Sequence, residues 1–113
     1  MIGTRFTRLG VGAVTVGLIL FLGVSARSQE KGESLFKAKC AMCHGADAAG
    51  KTPMGKALKI VDLHSEAVQK LSEAELNQII TKGKNKMPAY EGKLSKEQIE
   101  ELADFVHDLA KKH

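Results

Sequence analysis

Both cysteines of the chain fall within one five-residue string, Cys40-Ala41-Met42-Cys43-His44. Two thiols separated by two residues and followed at once by an imidazole form the attachment signature of a covalent haem. Each thiol closes a thioether to one of the two haem vinyl groups, and the histidine comes beneath the iron. Such a string commits the chain to wrapping one large, flat, apolar group. The other chemistries of paired cysteines fit less well. A disulfide or a thioredoxin-like redox pair requires no histidine at the next position. A zinc site asks for four protein ligands, and no second Cys or His pair stands at suitable spacing.

The N-terminal segment reads as an export signal. Arg5 and Arg8 lie in a short basic start, Leu9 to Val24 is apolar or small without a charge, and polarity returns at Ser25-Ala26-Arg27-Ser28-Gln29-Glu30. Small residues at Ser25 and Ala26 suit signal peptidase, so residues 1–26 are expected to be removed, with Ser28 as the other cleavage point. Residues 27–113 then form one domain in the periplasm. The alternative is a retained membrane anchor facing the periplasm, but Gly10, Gly12, Gly17 and Gly23 loosen an apolar run already short for a bilayer.

The whole chain carries 17 Lys and Arg against 13 Asp and Glu, and losing Arg5 and Arg8 leaves 15 against 13. A formal charge of +2 argues against nucleic acid as a partner. Only Phe36, Tyr90 and Phe105 remain as aromatics in residues 27–113. A core so small and so poor in large side chains needs a staple, and here the staple is the cofactor.

The sixth position on the iron separates a carrier from a catalyst. The candidates are Met42, Met54, Met87, His64, His107 and His113. Met42 sits inside the attachment loop on the side of His44. Met54 follows His44 closely and would have to pass round the haem edge. Met87 stands far enough along for an intervening helix, in an irregular stretch stiffened by Pro88, where a methionine has no helical face to fill.

Helices are legible around these points. Ser72 with Glu75 and Ser95 with Gln98 form capping boxes, with Leu71/Leu76 and Leu94/Ile99 as hydrophobic staples. The first box opens a helix running to about Thr81 with Gly83 as its stop. The second opens a helix with Ile99, Leu102, Phe105, Val106 and Leu109 on one side, and Asp104, His107 and Asp108 pointing away. A shorter helix is expected over Glu30 to Lys39, where Gly32 suggests a close crossing. Residues 45–70 read as loop, with a helical turn near Ser65 to Leu71.

An early C-x-x-C-H, a Met87-Pro88-Ala89-Tyr90 strap and a final amphipathic helix, in that order, resemble the class I c-type cytochromes, especially the small soluble ones of photosynthetic and respiratory bacteria. The likeness is strongest from Lys82 through Met87 to Ser95 and extends over residues 29–110. It implies an all-α class I cytochrome c fold with three main helices around one covalently bound haem c. The first and last helices would cross near Gly32, Phe36, Leu102 and Phe105. It further implies Cys40 and Cys43 as thioether donors, His44 and Met87 as axial ligands on opposite haem faces, Pro53 as acceptor of the histidine ring proton through its carbonyl, and Tyr90 beside the cofactor. With both axial positions filled, the resemblance implies an electron carrier rather than an enzyme. It would be monomeric and would dock redox partners through Lys82, Lys84 and Lys86 near the strap. A haem subunit held permanently by a dehydrogenase or oxidase is the other binding-protein reading.

Overall fold

A computed structural model of the chain describes residues 22–112, with residues 3, 10 and 12 before them, and side chains from Arg27 to Lys111. The signal-sequence expectation for residues 1–26 therefore lies almost wholly outside the described residues. Six helices follow in order: α1 (Leu22–Lys39), α2 (Ala41–His44), α3 (Pro53–Leu58), α4 (Glu66–Gln69), α5 (Glu73–Lys82) and α6 (Lys96–His107), with a 3₁₀ turn at Leu109–Lys112. Among the described residues there is no β-strand and no helix long and apolar enough to cross a membrane. The expected all-α architecture is thus observed, with α1, α5 and α6 as its three main helices and α6 packed against α1, α4 and α5.

Both capping boxes form. Ser72 Oγ accepts from the Glu75 amide at 3.1 Å while the Glu75 carboxylate accepts from the Ser72 amide at 2.7 Å. Ser95 and Gln98 repeat the exchange at 3.1 and 2.9 Å. Each satisfies two backbone donors that the first turn of a helix leaves open, which is why the starts of α5 and α6 are set locally. Gly83 ends α5 as expected.

The crossing of α1 and α6 depends on Gly32. A Cβ there would strike the Glu101 carbonyl oxygen and come within 2.8 Å of Phe105 Cβ. One turn on, Phe36, 2 % exposed, packs its ring 5.2 Å from that of Phe105 at a tilted 47°. Leu102 at 1 % exposure, Ile99, Ala103, Val106 and Leu109 complete the α6 side of the core, and Leu76 and Ile80 of α5 meet them.

Three expectations are corrected. The first helix is described from Leu22 rather than from Glu30. Within it, Gln29 Nε2 donates to Asp104 Oδ2 at 2.6 Å and to Asp108 Oδ2 at 3.2 Å, so the polar side of α6 partly faces α1 instead of water. The stretch read as loop contains α3, opened by Thr52 as its cap and Pro53 in the first turn, where a missing amide hydrogen costs nothing.

The crossing supplies a test. Gly32→Ala gains up to about 1 kcal/mol of helix propensity but forces two backbones apart, and overpacking of this kind costs about 1–3 kcal/mol. The urea midpoint of the holoprotein should therefore fall. A variant as stable as wild type would mean that the crossing relaxes freely.

Candidate haem site

The attachment motif continues the helical path of α1. The Cys40 amide bonds to the Phe36 carbonyl at 2.8 Å and the His44 amide to the Cys40 carbonyl at 2.9 Å. Phe36 is therefore placed one turn behind Cys40, with its ring 6.1 Å from the His44 imidazole. Beyond His44 the chain doubles back: Gly50 N donates to His44 O at 2.7 Å, and Thr52 Oγ1 donates to Cys43 O at 2.8 Å.

The methionine strap is held by a separate set of bonds. Lys84 and Met87 exchange two backbone hydrogen bonds, 3.2 and 2.9 Å, closing a two-residue turn in which Asn85 takes a φ of +54°. Asn accepts this left-handed conformation more readily than most side chains do. The Tyr90 and Glu91 amides then donate to the Ile80 and Thr81 carbonyls at 3.0 and 3.1 Å, lashing the strap to the last turn of α5. Gly83 has a φ of +76°, and a Cβ there would lie 2.7 Å from Met87 O. Its role is thus wider than ending a helix: the strap passes directly over it.

These two constructions face one small apolar cleft. Its lining includes Cys40, His44, Met87 and Tyr90 from the motifs. Leu63, Leu76, Ile79, Ile80, Leu102 and Val106 form much of the remaining wall. Sequence periodicity marks the α5 and α6 members as core residues. Leu63 carries no such signal, because its position depends on Gln69, whose Nε2 donates to Leu63 O at 2.7 Å and to Val106 O at 2.9 Å.

Cys43 and Pro53 are not part of this lining. Cys43 is half-buried beside it, and neither cysteine forms a disulfide. Pro53 is exposed at the start of α3. The histidine nitrogen for which it was the implied acceptor, His44 Nδ1, is buried and makes no hydrogen bond, so the Pro53 contact is not formed in this structure. Of the other methionines, Met42 is 79 % and Met54 45 % exposed, whereas Met87 is half-buried against the core. His64 and His107 lie by Asp62 and Asp108, at 2.8 and 3.3 Å, and neither lines the cleft.

The electrostatics follow from the apolar lining. Burial, with a contribution from Cys43, pushes the Cys40 thiol up to about 11. Burial lowers the His44 pKa and, with Cys40 and Cys43 nearby, raises that of Tyr90. The depressed His44 value keeps the imidazole neutral near pH 7, the form that ligates a metal. The residues present fit a haem on chemical grounds: two thiols and a neutral imidazole at one mouth of an apolar cleft, a thioether in its wall, and a buried ring nitrogen without a partner. Among the described residues no group of three or more His, Cys, Asp or Glu gathers where a bare metal ion would be held.

Comparison with known proteins agrees with this geometry. The family described as cytochrome c oxidase, cbb3-type, subunit III matches residues 27–106. Cytochrome c6 of Nostoc sp. is 41 % identical over 83 residues, covering 72 % of this chain and 70 % of that protein. Cytochrome c6 of Synechocystis sp. is 35 % identical over 101 residues, covering 88 % and 82 %. The cbb3-type cytochrome c oxidase subunit FixP of Sinorhizobium medicae is 40 % identical over 83 residues, which make up 71 % of this chain but 27 % of that protein.

Proposed function

This chain belongs to the class I c-type cytochromes, electron-transfer proteins with one covalently bound haem c, and from that membership we propose a periplasmic carrier whose haem is attached through Cys40 and Cys43 and ligated by His44 and Met87. The observation that carries the reading is the convergence of His44 and Met87, remote in sequence, on the walls of one apolar cleft beside Cys40. The haem, when bound, supplies an iron that gains and loses one electron, and a thioether ligand favours its ferrous state. The protein residues do the rest. His44 offers a neutral nitrogen, the α5 and α6 side chains exclude water, and the strap bonds fix the Met87 backbone at the cleft wall, from which its sulfur would occupy the iron position that a substrate would need. Tyr90 closes the cleft at the strap end. Pro53 remains the proposed acceptor for His44 Nδ1, which needs a partner once it is fixed in place.

A second reading, a haem subunit held in an oxidase, draws on the matched family and on FixP. Size separates the two: a free carrier elutes as a monomer of its own mass, a subunit with its complex. Docking is proposed at the strap, where Lys82, Lys84 and Lys86 are exposed. Lys82 Nζ already meets Glu91 Oε2 at 2.7 Å, so Lys84 and Lys86 carry most of the uncompensated charge.

Met87→Ala should abolish the weak near-infrared sulfur-to-iron band of the oxidised protein, lower its potential and admit cyanide or carbon monoxide. Met54→Ala should change none of these. The reverse pattern would refute the ligand assignment. For docking, the double change Lys84→Gln, Lys86→Gln should slow electron exchange with the anionic probe hexacyanoferrate and flatten its salt dependence, as the Debye length falls from about 10 Å at 0.1 M to about 3 Å at 1 M. Lys82→Gln should have the smaller effect. Equal rates for wild type and the double variant at every salt concentration would remove the lysines from docking.

A further inference from the structure

We propose that Thr52 is a positioning residue for the histidine ligand, clamping the peptide between Cys43 and His44 to the start of α3 and so fixing how the His44 imidazole stands. The inference rests on the haem ligation proposed above. Thr52 uses both capacities of its hydroxyl. It donates to Cys43 O at 2.8 Å and accepts from the Gly55 amide at 2.9 Å as the cap of α3.

The second function alone would be ordinary capping, worth a modest gain in helix stability. The first is different, because Cys43 O belongs to the peptide that joins the second thioether residue to the axial ligand. The neighbouring carbonyl, His44 O, is held by Gly50 N at 2.7 Å. Gly55 is pressed into the same place: a Cβ on it would lie 2.6 Å from Cys43 O and would strike Gly50 O. Two successive carbonyls of the attachment motif are therefore fixed by the returning loop, one of them by a side chain. No hydrogen bond reaches the imidazole itself in this structure, and Pro53, its proposed acceptor, follows directly on Thr52 in sequence. The ring's orientation thus depends on its backbone, and that backbone depends on Thr52. The same clamp holds Pro53, the next residue, near the attachment loop.

Three variants of the exported holoprotein separate clamp from cap. Thr52→Ser keeps both bonds. Thr52→Val loses both at nearly constant shape. Thr52→Asp caps the helix well but, ionised, has no proton to donate to Cys43 O. Two readouts are needed: hydrogen exchange of the Gly55 amide, which reports the cap, and the hyperfine-shifted methyl resonances of the oxidised haem, which report the orientation of its axial imidazole.

Thr52→Ser should match wild type in both. Thr52→Val should exchange Gly55 roughly tenfold faster, the effect of losing one or two hydrogen bonds, and should redistribute the methyl shifts. Thr52→Asp should keep Gly55 protected and still redistribute the shifts. If Thr52→Val does not accumulate, Thr52→Asp decides alone. Wild-type methyl shifts in Thr52→Asp would reduce Thr52 to a cap and overturn the proposal. A wild-type protein without covalent haem or without a low-spin ferric spectrum would instead refute the function reading, so the two failures are distinct.

Discussion

The backbone contact between Gly32 and the Glu101–Phe105 turn sets where everything else stands. It lets α1 approach α6 closely enough for Phe36 to reach Phe105, and Phe36 in turn borders His44 two turns further on. Because the attachment motif continues the bonding of α1, an error at the crossing would propagate into the position of both thiols and the imidazole. The strap is built independently, on α5, and α6 is the shared reference against which α1 and α5 both pack. His44 and Met87 thus meet one cleft because two unconnected constructions lean on one helix.

The core between them is built mainly of aliphatic side chains with two phenylalanines, Phe36 and Phe105. Phe36 and Leu102 are its largest fully buried members. A domain of this size buries too little apolar surface to be comfortable without help, and a flat apolar cofactor filling the cleft would add contact area that the side chains do not supply. The cofactor is in this sense part of the fold, and thioether attachment makes that part permanent.

What the sequence made legible was what is decided locally. Ser72 and Ser95 announce their helices because the groups they bond lie three residues away. The pentad at Cys40 and the strap at Met87 are readable for the same reason, and Gly32 stood out because a helix has no other use for it. The misreadings all involve distant partners. The full extent of α1 escapes a periodicity argument, and the place of Asp104 becomes plain only when Gln29 is seen beside it. Leu63 joins the cleft through Gln69 and Val106. Helix α3 was obscured by Gly50 and Gly55, which read as breakers, although Thr52-Pro53 is a proper helix start. Those glycines are there for close approach: each would bring a Cβ against a backbone carbonyl.

The central claim is that the motif at Cys40 holds one haem for life and that the fold is organised round it. The intact mass of the exported protein, taken after denaturation and treatment with a thiol-alkylating reagent, tests it most directly. The account predicts the mass of the mature chain plus one haem, with no alkyl group added. A haem-free mass carrying two alkyl groups, at Cys40 and Cys43, would contradict it.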